Sequence, residues 1–149
     1  MIEVKDITKS FDGRTVLHEV SATFATGKTN LIIGQSGSGK TVLMKSLVGL
    51  LTPESGEILF DGRDVISMDQ QQRKDLRQEI GMLFQGSALF DSETVLGNVM
   101  FPLVMFTSKS QAEIRERAMF CLERVNLLGA ENKYPSEISG GMQKRVAIA

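Results

Sequence analysis

Apolar residues follow two rhythms along the chain. Ile2, Val4 and Ile7, and then Val16, Leu17, Val20, Ala22 and Phe24, alternate approximately with polar neighbours on either side of Asp12-Gly13. A period near two predicts short antiparallel strands around a turn. Leu31-Ile32-Ile33 is a compact apolar run ending at Gly34, which predicts a buried strand leading into a loop, with a helix over Lys40 to Leu50. Pro53, Ser55 and Gly56 break that pattern, and Glu57 to Phe60 followed by Asp61-Gly62 predicts a further strand and tight turn. Residues 67 to 79 are rich in Gln, Arg and Asp and read as a solvated helix. Ile80 to Phe84 is a second apolar run, ending at Gln85-Gly86, and again predicts a buried strand feeding a loop.

From Thr94 the period lengthens. Thr94 to Met105 is apolar and interrupted by Pro102, while Ile114, Ala118, Cys121, Leu122 and Val125 recur at helical spacing within Ser110 to Asn126. Ser110 followed by Glu113 has the form of a capping box. The expected division is an α/β portion over 1–86, a helical portion over 87–139, and the start of a further helix over 140–149.

Composition narrows the class. With 149 residues, 42% hydrophobic, the chain suffices for one ordinary domain with its own core. Seventeen basic and eighteen acidic residues leave a net charge of −1, which argues against nucleic acid as a partner. The most apolar stretch, Val99 to Phe106, is too short to span a bilayer, and no basic-then-apolar leader opens the sequence, so a cytosolic protein is expected. The single Cys121 fits core packing in a reducing compartment, and the single His18 lies outside any site motif.

Two segments carry chemistry. Gly34-Gln35-Ser36-Gly37-Ser38-Gly39-Lys40-Thr41 has the P-loop spacing, which arises by chance about once in two hundred chains of this length. Its glycines let successive N–H groups approach phosphate oxygens, and the following helix adds its positive end. Lys40 would reach the β- and γ-phosphates, and Thr41 would place its hydroxyl on Mg²⁺, so ATP with Mg²⁺ is the expected ligand. In the second segment, Ser139 can cap a helix opening at Gly140 and Gly141 and exposing N–H donors.

Gln85, after an apolar run, and Ser139-Gly140-Gly141 lie 45 and 99 residues beyond Lys40 of the P-loop. In order and spacing they resemble the ATPases of ATP-binding cassette (ABC) transporters. The resemblance implies a fold: an α/β P-loop NTPase core of ABC type, with an N-terminal antiparallel β-region and a helical subdomain, ending before the Walker B strand. It also implies roles. Gln85 would touch Mg²⁺ and the attacking water, and Phe11 stands where the family stacks adenine on an aromatic ring, although core packing is the other reading of Phe11. Ser139, Gly140 and Gly141 would contact ATP held on the P-loop of a second ATPase subunit in a head-to-tail dimer.

Gly141-Met142, followed by Gln143-Lys144-Arg145, and the segment Phe84 to Phe90 followed by Thr94-Val95 and Asn98-Val99 are similar to the Mla-type ATPases. These work with MCE-type lipid-binding partners in phospholipid transport. The resemblance thus implies transmembrane permease subunits as partners and a place at the inner face of the cell membrane. Leu89 to Phe106 either receives a helix of such a permease or packs locally. The family's Walker B aspartate, catalytic glutamate and switch histidine have no counterpart in these residues, so nucleotide binding without turnover is expected of them alone. A nucleotide-binding fragment, or an ABC ATPase for another substrate, is the alternative.

Overall fold

Two Asp-Gly pairs shape the only sheet. Asp12 and Gly13 have φ of 48° and 78°, and Asp61 and Gly62 have 46° and 77°. Positive φ at both central residues is the two-residue turn whose twist matches that of the strands it joins. The first turn links β1 (Ile2–Phe11) to β2 (Arg14–Phe24), pairing Phe11 with Arg14, and the second links β3 (Ser55–Phe60) to β4 (Arg63–Asp64), pairing Phe60 with Arg63. β1 also pairs antiparallel with β3, giving the order β2-β1-β3-β4.

The computed structural model describes residues 1–149, which form two compact units, Met1–Gly81 and Met82–Ala149. In the first, Val4, Ile7, Leu17 and Ile58 of the sheet pack with Leu43 and Leu47 of α1 (Lys40–Leu47) and with Val65 and Leu76, the latter on α2 (Gln70–Glu79). Each such side chain contributes about 1.5–3 kcal/mol on burial. The solvated helix expected over 67–79 is α2, where only Leu76 is buried; Asp69 and Gln72 form a capping box. The α1 helix ends before Leu50, since Gly49 turns the chain with φ 66°.

Two expectations fail. Neither Leu31–Ile33 nor Ile80–Phe84 is a strand, and Leu31 and Ile33 are 78% and 84% exposed. An apolar run becomes a buried strand only when neighbouring strands take up its N–H and C=O groups and cover its faces. The single sheet is built from β1 to β4 alone and pairs with neither segment.

The second unit is helical. It contains α3 (Val95–Phe106), α4 (Gln111–Arg124), a 3₁₀ turn at Pro135–Glu137 and α5 (Gly140–Ile148). Val95, Leu96, Val99, Ala118, Leu122, Leu127, Ile138 and Val146 form its core, with Cys121, Val125 and Met142 packed against it. Ser110 and Glu113 cap α4 reciprocally, as their spacing predicts. The Val95 and Leu96 amides donate to the carbonyls of Lys133 and Glu131 (2.8 and 3.0 Å), which anchors the loop before the 3₁₀ turn. Pro102 is accommodated within α3. No helix is long and apolar enough to cross a membrane.

Arg63 grips both oxygens of Glu79 (2.8 and 2.7 Å), and these bonds hold the Glu79 carboxyl below its ordinary value of 4.5. A lowered folded value stabilises above the unfolded value and is lost as pH falls through the folded one. Acidification below about pH 4.5 should therefore remove this contribution. Urea unfolding at pH 7 and pH 3 should show a smaller acid loss for Glu79→Gln than for the parent protein.

Candidate functional site

The loop Gly34–Gly39 is exposed over most of its length and closes on itself through the Ser38 amide, which donates to the Gln35 carbonyl at 3.2 Å. Gly39 has φ 90° and is the N-cap of α1. A Cβ there would lie 3.0 Å from Leu17 Cδ2 and 3.1 Å from the Val16 carbonyl oxygen, both on β2. Only glycine meets both demands, left-handed backbone and close approach. A Cβ on Gly34 would come within 2.7 Å of Ser38 Oγ.

Every other α-helix begins with a side-chain cap, from Asp69, Thr94, Ser110 or Ser139. The α1 helix has none, and no acidic residue stands in its first turn. Its leading N–H groups therefore face the loop uncapped, with the positive end of the helix behind them, an arrangement suited to an anion. Lys40 Nζ donates to the carbonyls of Gly34 and Gln35 at 2.8 and 2.7 Å. The ammonium thus spans the mouth of the loop. Thr41 is exposed on the first turn of α1. Phe11, 41% exposed, is paired with Arg14 on the hairpin, two residues before Val16. The first unit therefore brings Phe11, Gly34, Gln35, Ser36, Gly37, Ser38, Gly39, Lys40 and Thr41 onto the hairpin and the loop packed against it.

The second unit holds the remaining candidates. Gln85 is exposed on a loop pinched by the bonds from the Ser87 amide to the Phe84 carbonyl (3.1 Å) and from the Ala88 amide to the Gly86 carbonyl (2.7 Å). Ser139 Oγ accepts from the Met142 amide at 3.3 Å, which leaves the hydroxyl hydrogen free to donate. A Cβ on Gly140 would meet nothing within 4 Å, and one on Gly141 only Ser139 Oγ at 3.9 Å. Internal packing demands neither glycine, so the space before α5 is open to an outside group.

The family model described as ABC transporter matches residues 17–149. This chain belongs to the ABC transporter family. It is 45% identical to the probable ribonucleotide transport ATP-binding protein mkl of Mycobacterium leprae, over 99% of this chain and 43% of that protein. It is 41% identical to the intermembrane phospholipid transport ATP-binding protein MlaF of Haemophilus influenzae, over 100% of this chain and 56% of that protein. The ABC chain thus spans about half the length of these curated relatives. A dimeric ATP-binding cassette solved in a post-hydrolysis state with ADP and Pi superposes with a TM-score of 0.89 at 32% identity, covering 99% of this chain and 67% of that one.

Three residues of the Mla-like segments hold this ABC chain's loops and helix ends, a structural part that the resemblance does not assign them. The Asn98 amide group donates to the carbonyls of Phe90, Glu93 and Thr94 (3.1, 3.2 and 3.0 Å) and accepts from the Phe90 amide (2.7 Å). It thereby fixes the loop leading into α3. Arg145 Nη1 donates to the carbonyls of Val125 and Asn126 at the end of α4, and Gln143 Nε2 to that of Pro135. An asparagine four residues after a Thr cap is the only local sign of the first; the other two depend on tertiary placement.

Gly39→Ala should cost about 1–2 kcal/mol for the left-handed backbone alone, with a further loss from the contact with β2. Chemical denaturation should show this loss, whereas Gly140→Ala should leave stability within about 1 kcal/mol of the parent.

Proposed function

We propose that the chain is the ATP-binding portion of an ABC transporter subunit that couples ATP binding and hydrolysis to transport of phospholipid. The observation that carries this reading is the uncapped start of α1 behind a glycine loop whose lysine rests on replaceable carbonyl partners. A phosphate oxygen offers Lys40 a charge-assisted bond in place of two neutral ones, so nucleotide binding and reorientation of the lysine go together. The glycine amides and the α1 N–H groups would hold the phosphates, Phe11 would stack on the base, and Thr41 and Gln85 would face Mg²⁺. Bound Mg²⁺ would supply charge neutralisation between the phosphates.

The open space before α5 and the free Ser139 hydrogen support a role for Ser139, Gly140 and Gly141 against ATP on a second subunit, and the dimeric state of the solved cassette agrees with it. Permease subunits would dock on the second unit, where a groove of about 470 Å³ is lined by Phe84, Leu89, Phe90, Phe101, Pro102 and Phe106. Phe90 and Phe101 pack with tilted rings 4.6 Å apart, and exposed Val104 and Met105 extend the apolar face, a form suited to an amphipathic helix. Through such a permease the protein would sit at the inner face of the membrane, with an MCE-type lipid-binding protein as a further partner.

Phospholipid is favoured by the MlaF relative and by the Met142 form of the signature. The mkl relative, named for ribonucleotides, supports the rival substrate. Stimulation of the assembled transporter's ATPase by phospholipid vesicles, and not by ribonucleotides, is the expected result; the reverse would replace the substrate assignment.

For residues 1–149 alone we propose binding without hydrolysis. Asp64 is engaged with the Ile66 amide, Asp61 lies in a turn, and no group of three acidic, His or Cys side chains converges on a metal position. ATP binding by these residues should fall at least about tenfold in Lys40→Ala, corresponding to a lost charge-assisted contact of about 1.4 kcal/mol or more. Mg²⁺-dependent phosphate release from the purified 149-residue chain would refute the second part.

A further inference from the structure

The ring of Phe11 already has a cation beside it. Lys9 Nζ lies 5.3 Å from the ring centroid, within the range of a cation–π contact. That ammonium is fixed: it donates to Glu54 Oε1 at 2.6 Å, and the Lys9 side chain is only 16% exposed. Glu54 is fixed in turn, since its second oxygen accepts from the Ser10 amide (2.8 Å) and its own amide donates to the Thr8 carbonyl (2.9 Å). The bond from Lys9 also holds the Glu54 carboxyl below the ordinary carboxylate range.

One face of the ring is therefore polarised by a positive charge that cannot swing away, while the ring remains 41% exposed. A cation draws electron density toward its own side of an aromatic ring and strengthens offset stacking of an electron-rich planar group on the other side.

We propose that Lys9, held by Glu54, is a positioning residue for the nucleotide base: it orients and polarises Phe11 so that the ring takes a purine on its free face. This rests on the reading of Phe11 as the base-stacking residue. A long-range attraction between Lys9 and the phosphates would give a different signature, because it would act on any polyphosphate with or without a base.

The test compares the purified protein's affinity for ATP with that for inorganic tripolyphosphate, which carries the charge but no base. Lys9→Met should weaken ATP binding about two- to fivefold and leave tripolyphosphate unchanged. Lys9→Arg should restore ATP binding, and Glu54→Gln, which frees the ammonium, should weaken ATP in the same direction. Thermal melts establish that each variant is folded, and if Lys9→Met fails to fold, the Glu54→Gln comparison decides. Equal weakening of both ligands by Lys9→Met would overturn the proposal in favour of simple charge. Unchanged ATP binding in Lys9→Met, with selective loss of ATP in Phe11→Ala, would overturn it while leaving the base-stacking reading standing. Unchanged ATP binding in Phe11→Ala would remove that reading and the proposal with it.

Discussion

The approach of Gly39 to the backbone of β2 is the contact on which the first unit's candidate site depends. With Val16 O and Leu17 Cδ2 so near that a side chain on Gly39 would crowd both, the start of α1 is pressed against the hairpin, and the loop before it has its far end fixed. The hairpin and the loop then share one reference frame. Phe11, whose cross-strand partner Arg14 lies two residues before Val16, and Lys40, one residue after Gly39, owe their placement to the same seam. Leu17 completes the link by reaching the core shared with Leu43 and Leu47.

Local rules made much of this readable in advance. The Asp-Gly turns, the Ser110 capping box, the Ser139 cap and the glycine loop are each specified within a few residues, and the structure carries all of them. The two apolar runs were misread because their strand character depends on neighbours. A hairpin supplies its own ladder, whereas Leu31–Ile33 and Ile80–Phe84 must be given one from elsewhere, and the period of a sequence cannot say whether it comes. Asn98, Arg145 and the Lys9–Glu54 pair were unreadable for a related reason. Their meaning lies in carbonyls and rings brought near by folding, and polar residues of these types look alike wherever they are exposed.

The two sets of candidate residues also differ in how they are made ready. In the first unit the proposed anion site is shaped by backbone, and its lysine rests on two loop carbonyls, so the proposed binding would exchange partners instead of building a cavity. In the second unit the signature segment is capped and satisfied internally, and what it offers is open space before α5 together with one unspent hydroxyl hydrogen. The first suits a tightly held ligand, and the second suits a surface that closes on something already bound elsewhere.

The anchoring of Arg145 has a mechanical side. Its guanidinium grasps the carbonyl end of α4, while Gln143 ties the same helix to the 3₁₀ turn at Pro135. The α5 helix is thereby bolted to the C-terminal end of α4 through Arg145 and to the 3₁₀ turn through Gln143, two residues after Gly141. With Gly140 and Gly141 within five residues of both bolts, a tilt imposed on α4 would carry the glycine tip with it instead of being absorbed between them.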